Sequence, residues 1–252
     1  INTTLAEYAP MYYQDGLLLV SNRKTDQVTK NVFGWDQTPF SDLYFVDRVE
    51  KVKPVNVDSV MQAARKDASL GKKFYRINDD DTRRTSNDSK IVGYSSVALN
   101  DTLAKALNTD DLVKPFAGFV NTKYHEDTPA FTKDGKTVYF TRNNYIDGKK
   151  GKDESWVTLI KLYKAELGKD GKWTNIAELP FNSNNYSTGH PALSPDEKPL
   201  YFASDMPGSF GESDLYKVTI NSNGGFGPPQ NLGNAINTEG KETYPYLTSE
   251  NE

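Results

Sequence analysis

The stretch Pro129-Ala130-Phe131-Thr132-Lys133-Asp134-Gly135, followed by the apolar run Thr137-Val138-Tyr139-Phe140-Thr141, decides the fold because the chain repeats it. The shared frame is a proline, one variable residue, an aromatic or leucine, two variable residues and an aspartate. Pro10-Met-Tyr-Tyr-Gln-Asp15-Gly16 carries it ahead of residues 17–21, and Pro191-Ala-Leu-Ser-Pro-Asp196-Glu197 carries it ahead of residues 200–204. A fourth copy begins at Pro245-Tyr-Leu-Thr-Ser-Glu250-Asn251. Each copy reads as a hairpin: Asp-Gly supplies residues that tolerate positive φ in a turn, and β-branched and aromatic runs flank it.

Working outward, each unit has a third strand candidate of one type: Asp42-Leu43-Tyr44-Phe45, Lys161-Leu162-Tyr163 and Asp214-Leu215-Tyr216-Lys217-Val218. A fourth piece follows in the last two units, around residues 173–176 and 226–232. Four short antiparallel strands per unit make a propeller blade. A second motif stands eight residues before the prolines, as Ile1-Asn2-Thr3, Val120-Asn121-Thr122 and Ile236-Asn237-Thr238, with Asn185-Tyr186-Ser187-Thr188 as the variant of the remaining unit. It marks the crossing from one blade to the next, where Asn and Thr side chains hold backbone groups.

The spacing shapes the architecture. Pro191 to Pro245 spans 54 residues and Pro129 to Pro191 spans 62, which suits single blades, whereas Pro10 to Pro129 spans 119. Residues 52–113 account for the excess, as a long insertion on one blade or as a degenerate blade, and the absence of the proline frame there favours the insertion. Short helices are expected from Asp58 and from Asp101, and Lys73-Phe-Tyr-Arg-Ile and Lys90-Ile-Val-Gly-Tyr are strand candidates. The expected fold is all-β: an incomplete β-propeller of three blades plus the start of a fourth, with a mixed α/β insertion at 52–113 on the first blade. Residues 1–252 then form part of one propeller domain within a longer protein whose flanking domains are absent.

Composition narrows the function. The chain is 36% hydrophobic and 12% aromatic, enough for a sizeable core, and its net charge of −4 comes with lysines spread along the sequence. A nucleic-acid binder needs a concentrated basic face, and none is present. There is no apolar run long enough to span a bilayer as a helix, and Ile1 opens directly on a structural motif, so no signal peptide is expected. With no cysteine, thiolate chemistry and thiolate metal sites are excluded.

His190-Pro191-Ala-Leu-Ser-Pro-Asp196 with Leu200-Tyr-Phe-Ala-Ser-Asp205-Met-Pro-Gly208 resembles the Pro-Asp repeat of TolB-like propellers. Phe210-Gly-Glu-Ser-Asp214-Leu-Tyr216, Pro229-Gln-Asn-Leu-Gly233 and Ile236-Asn237-Thr238-Glu-Gly240-Lys-Glu242 narrow the resemblance. They look like the propeller of Bacteroidota OmpA-type envelope proteins, a group that includes a periplasmic component of the type IX secretion and gliding machinery. The match is specific over residues 114–252, weaker over 1–50 and absent in the insertion. It implies a periplasmic, outer-membrane-associated protein with an outer-membrane partner of the PorP/SprF type. Peptidoglycan would be bound through a domain outside this chain. Glu197 and Asn251 stand where the repeat usually has a turn glycine, and the first blade shortens its hairpin after Asp15.

Catalytic chemistry has little support. His125 and His190 lie just before blade prolines, where backbone hydrogen bonding accounts for them, and neither a nucleophile elbow nor a His-Glu-x-x-His pair occurs. Asn78-Asp79-Asp80-Asp81 lacks the alternation of a calcium loop and is followed by Arg83 and Arg84. The loop from Asp205 to Asp214 leads into a strand rather than a helix, which argues against a phosphate cradle. An Asp-box of the sialidase type would separate Asp134 from its glycine, and the inner strands offer mostly apolar and hydroxyl groups. No catalytic residue, metal site or cofactor is expected. Tyr145, Trp156, Tyr186 and Phe210 fall in loops and are the candidate interface residues, with capping of the blade ends as the equal alternative. The leading expectation is a non-enzymatic protein-interaction scaffold. A glycan- or peptidoglycan-fragment-binding propeller and the regulatory propeller of a peptidase are its rivals.

Overall fold

The computed structural model describes residues 7–23, 40–52, 112–116, 121, 124–146, 149–150 and 158–248, with backbone alone at 145–146 and 149–150. The first sheet has the order β1 (Glu7–Tyr13), β2 (Gly16–Ser21), β3 (Asp42–Val46), β4 (Lys114–Pro115). The second is built from β5 (Glu126–Phe131), β6 (Thr137–Asn143), β9 (Ile160–Leu167) and β10 (Trp173–Glu178), with β5 at one edge. The third runs β11 (Thr188–Leu193), β12 (Pro199–Ser204), β13 (Asp214–Thr219), β14 (Gln230–Asn231). All pairings inside these sheets are antiparallel. A small hairpin, β7 (Tyr145–Ile146) with β8 (Lys149–Lys150), sits between β6 and β9, and a short 3-10 turn covers Val49–Lys51. The helices and strands expected within the insertion lie outside the described residues, as does the turn at Glu250-Asn251.

Three successive four-stranded meanders, each led by a proline frame, form an incomplete β-propeller. The pleat shows how the blades stack. In β6, Val138 and Phe140 turn to the first sheet and join a core with Tyr13, Leu18, Val20, Leu43, Phe116 and Trp173. Tyr139, between them, turns the other way to join Leu162, Leu200, Phe202, Tyr216 and Val218 of the next core. The middle sheet is therefore buried on both faces. That is why β6 carries a continuous apolar run, Val138-Tyr139-Phe140, rather than clean alternation.

The frame residues have separate jobs. In the second blade Asp134 Oδ1 accepts the Thr132 hydroxyl (2.7 Å) and the Lys136 N–H (3.0 Å), and Gly135 holds φ +66°. In the third, Asp196 does the same for Ser194 (2.7 Å), and Glu197 takes the glycine's place at φ +59°. The first blade departs from the sequence expectation. Its turn is two residues long, Tyr13 pairs with Gly16, and Gln14 rather than the glycine takes positive φ, at +51°. Gly16 is needed for room: a Cβ there would stand 2.2 Å from the Val46 carbonyl oxygen and 2.5 Å from the Phe45 ring.

The crossing asparagines extend the sheets with side chains. Asn121 accepts the Leu43 N–H (2.9 Å) and donates to the Leu43 carbonyl (2.7 Å). Asn237 does so with Leu215 (2.8 and 3.0 Å). In the remaining unit the residue is Asn182, bonded to Leu162 at 3.0 and 2.7 Å, and not the Asn185 expected from the variant motif. One extra residue between Asn182 and Pro191 hides the correspondence. Each primary amide serves as one more rung beside the third strand, and the backbone groups of all three leucines are satisfied.

Two tests follow from the local geometry. Gly16→Ala is expected to cost about 1–3 kcal/mol by overpacking, whereas Gln14→Gly, at an exposed position of positive φ, should stabilise by about 1 kcal/mol. Urea melts of both variants check the opposite signs. Asn182→Leu leaves the Leu162 N–H and carbonyl without this partner, and a loss of about 2–4 kcal/mol is expected, read as a lower urea midpoint with unchanged slope.

Candidate functional site

Proline has no N–H to give the ladder, and each inner strand breaks register at its proline. The shifts fall between Tyr8 and Met11, Asp127 and Ala130, and Gly189 and Ala192. The residue in front of each proline holds positive φ: Ala9 (+48°), Thr128 (+34°), His190 (+54°) and, ahead of Pro245, Tyr244 (+53°). Non-glycine residues pay strain there, on the order of 1–2 kcal/mol each. Such bulges re-aim side chains, and here they collect a polar group where the inner edges of the blades converge.

Asp127 is its centre. The side chain accepts the Thr128 hydroxyl at 2.7 Å, and the Tyr8 and Tyr244 hydroxyls are near enough to act on its charge. Tyr8 comes from the first blade and Tyr244 from the fourth copy of the frame. Convergence of three repeats on one carboxylate is what sheets arranged about an axis produce. Tyr8 donates its single hydroxyl proton to Ser41 Oγ (3.1 Å). His125 Nε2 lies 4.0 Å from Asp127 Oδ2, while its Nδ1 accepts the Ser41 N–H at 3.1 Å. His190 stacks on the Tyr244 ring, centroids 4.0 Å apart at 18°, and its backbone N–H donates to the Thr141 hydroxyl at 2.9 Å. The buried Nδ1 of His190 has no hydrogen-bond partner.

Burial sets the protonation states. It raises Asp127 to about 6 against the hydrogen bonds that pull the other way. It lowers His125 to about 4. His190 also falls to about 4, by burial first and then by the positive field of His125 and Lys241. Burial pushes the Tyr8 and Tyr244 hydroxyls well above the usual tyrosine range, and Asp127 adds to it. At neutral pH the cluster is one carboxylate among neutral rings and hydroxyls.

The sequence reading placed backbone-bonded imidazoles at both histidines. His125 fits that description and His190 Nδ1 does not. It also expected mostly apolar and hydroxyl groups on the inner strands, where the structure brings in Asp127 and two imidazoles. Glu7 and Glu126 are on these strands too, each bonded to an arginine sixteen residues on, Arg23 at 3.2 Å and Arg142 at 2.9 Å. No group of three His, Asp or Glu side chains suited to a metal occurs among the described residues.

The four candidate interface residues separate. Phe210 is 56% exposed. Tyr186 is half-buried against the core between the second and third blades, its hydroxyl donating to the Phe181 carbonyl at 3.1 Å, so it caps a blade end. Tyr145 lies in strand β7 rather than in a loop, and Trp156 lies outside the described residues. Ile236, at 52% exposure, and Tyr246, at 86%, were not singled out by the sequence.

No family model and no curated protein sequence matches the chain. Among solved structures it is similar to TolB from Acinetobacter baumannii, with 13% identity and a TM-score of 0.42 over 98% of this chain and 36% of that one. It is also similar to a puromycin-hydrolyzing peptidase of Mycobacterium tuberculosis, with 12% identity and a TM-score of 0.39 over 91% of this chain and 24% of that one. The chain thus spans about a third and about a quarter of the two. Neither likeness bears on its activity.

His190 makes the site's charge measurable through stability. Its folded pKa of about 4 lies below the ordinary 6.5, so the unfolded chain binds an extra proton between these values and stability falls as acid is added. Asp127, raised to about 6, acts in the opposite sense, as does Asp42, raised to about 6 by burial. A comparison of wild type with His190→Asn isolates the histidine. The difference in unfolding free energy should change by about 1.4 kcal/mol per pH unit within that window, wild type losing ground as pH falls. A difference constant with pH would mean that His190 charges freely in the folded protein.

Proposed function

We propose that this chain is a non-enzymatic protein-interaction scaffold, acting on the periplasmic side of the outer membrane in an envelope complex of the type IX secretion and gliding class. The observation that carries a binding role is the way Phe210 is presented. Its own N–H and that of Gly211 donate to the Asp214 carboxylate at 2.8 and 3.1 Å, and Asn231 donates to the same group at 2.7 Å. One residue earlier, Ser209 Oγ donates to the Met206 carbonyl at 2.9 Å and lies 2.9 Å from the Tyr216 hydroxyl. Glu212 N–H closes the loop onto the Gly240 carbonyl at 2.8 Å. A large aromatic side chain is thus held out to solvent on a loop tied down at nearly every residue.

That is how an interface anchor is built. An ordered loop has little entropy left to lose on binding, so the area buried by the ring goes into affinity. The site between the blades offers less to an enzyme. His125, the imidazole beside Asp127, has its Nδ1 committed to the Ser41 backbone. The envelope location and the secretion class rest on the resemblance in the last blades, and among the described residues no helix is long and apolar enough to cross a membrane.

The test is co-purification with a PorP/SprF-type outer-membrane protein from cross-linked envelopes. Phe210→Ala should reduce recovery by about tenfold or more, the effect of removing an anchor worth over 1 kcal/mol, with an unchanged thermal melt because the ring buries little in the folded chain. Equal recovery with both proteins would remove Phe210 from the interface.

A further inference from the structure

The inner strands carry three buried carboxylates with different neighbours. Glu7 pairs with Arg23 at 3.2 Å and Glu126 with Arg142 at 2.9 Å. Asp127, 5% exposed, faces hydroxyls and the neutral His125, and among the described residues no lysine or arginine pairs with it. Hydroxyl bonds offset part of the cost of burying a carboxylate but supply no opposite charge. Behind the Tyr244 ring, on which His190 stacks, His190 Nδ1 is buried without a partner. Around both stand aromatic rings, Tyr8 and the stacked pair His190 and Tyr244. Tyr244 is the outer wall: it is 49% exposed and belongs to residues 242–248, which form no strand. Lys241, the nearby cation that acts on His190, is exposed and directed to Glu212 at 3.8 Å.

We propose that Asp127 forms the floor of a subsite for a single ammonium or guanidinium group, delivered by a basic side chain of the bound partner. The inference rests on the scaffold reading above and names what the axial end of the propeller would read. The chemistry is complementary on three counts. A cation supplies the charge that Asp127 lacks, several N–H donors suit a site rich in acceptors, and an ammonium against Tyr8 and Tyr244 gains cation–π attraction. Bringing a cation to the carboxylate also favours its ionised form. Glu7 and Glu126 do not compete for the ligand, because their own arginines already satisfy them.

The experiment is a fluorescence-anisotropy titration of the whole chain with labelled acetyl-Gly-Lys-Gly-amide. The same peptide bearing Nε-acetyl-lysine and unlabelled n-butylamine are run beside it. The lysine peptide should bind, lysine acetylation should abolish binding, and Asp127→Asn should weaken it by about tenfold or more. Asp127→Asn keeps the size of the side chain and removes a buried charge, so its thermal midpoint should be equal or higher, which separates lost binding from lost folding. Butylamine displacing the peptide at equal concentration would overturn a partner side chain as the source and leave a free-amine site. Equal binding of the lysine and acetyl-lysine peptides, or none at millimolar concentration, would overturn the subsite itself. If the subsite fails while Phe210→Ala still releases the outer-membrane partner, the scaffold reading stands without it; loss of the Phe210 effect strikes that reading instead.

Discussion

A one-residue break in the ladder of each inner strand, set at a proline with no N–H to donate, is the constraint on which the axial cluster depends. In each inner strand the ladder stops at Pro10, Pro129 or Pro191 and resumes one residue out of step. The residue in front holds positive φ, against the steric preference of every non-glycine side chain and against the extended bias of a pre-proline position. Thr128 is the extreme case, since a β-branched residue at φ +34° is strained on both grounds. The strain persists because the packed blades on either side hold it. Without the break the strands would keep alternating, and Asp127, Tyr8 and His190 would not be turned to the same end of the blades.

Ion pairs fix the start of two of these strands. Glu126 is fully buried, and its partner Arg142 lies over the rings of Tyr124, Phe140 and Tyr163 at 5.7, 5.0 and 5.2 Å. Arg23 lies over Tyr44 at 5.3 Å in the same role. At the corresponding place the third blade has Thr188 and Ser204, both buried, and Thr188 bonds Asn182 while Ser204 reaches the Ser187 carbonyl at 2.7 Å. A charged pair and a pair of hydroxyls thus solve one problem, the satisfaction of polar groups at the mouth of a blade. Buried pairs of this kind add little net stability over apolar packing, yet removing one partner is costly. Their use in two blades of three leaves the blades interchangeable in backbone and distinct in surface.

How much of this could be read in the letters depends on whether a residue serves the backbone or its neighbours. Pro129 and Asp134 serve the backbone, one breaking a ladder and the other clamping a turn, so they recur at fixed spacing and the blades were legible. Gly16 was legible as a glycine but for the wrong cause, because crowding by Val46 and Phe45 belongs to the next strand and leaves no local trace. Asn182 was missed through a single extra residue. The axial cluster had no common letter to find: two blades contribute the residue two before the proline, Tyr8 and Asp127, while His190 and Tyr244 stand immediately before it. The separation of Phe210 from Tyr186 needed packing, since both are aromatic residues in loops.

The same distinction explains why the mouth of the propeller suits recognition. Groups that serve the backbone are held rigidly by many bonds and are repeated; groups released by the bulges are unique to each blade and aim at one point. Burial moves the histidines down to about 4 and the tyrosines upward, away from neutral pH, and lifts Asp127 to about 6. At pH 7 Asp127 is mostly ionised within a wall of neutral rings, with Tyr244 as its half-exposed outer side. A fixed charge in a place of low dielectric discriminates strongly between a cation and its neutral analogue, because the unmatched state retains the full cost of desolvation. Rigidity at Phe210 and selectivity at Asp127 are then two outcomes of one design, in which backbone bonds are satisfied within the blade and the side chains left over face outward.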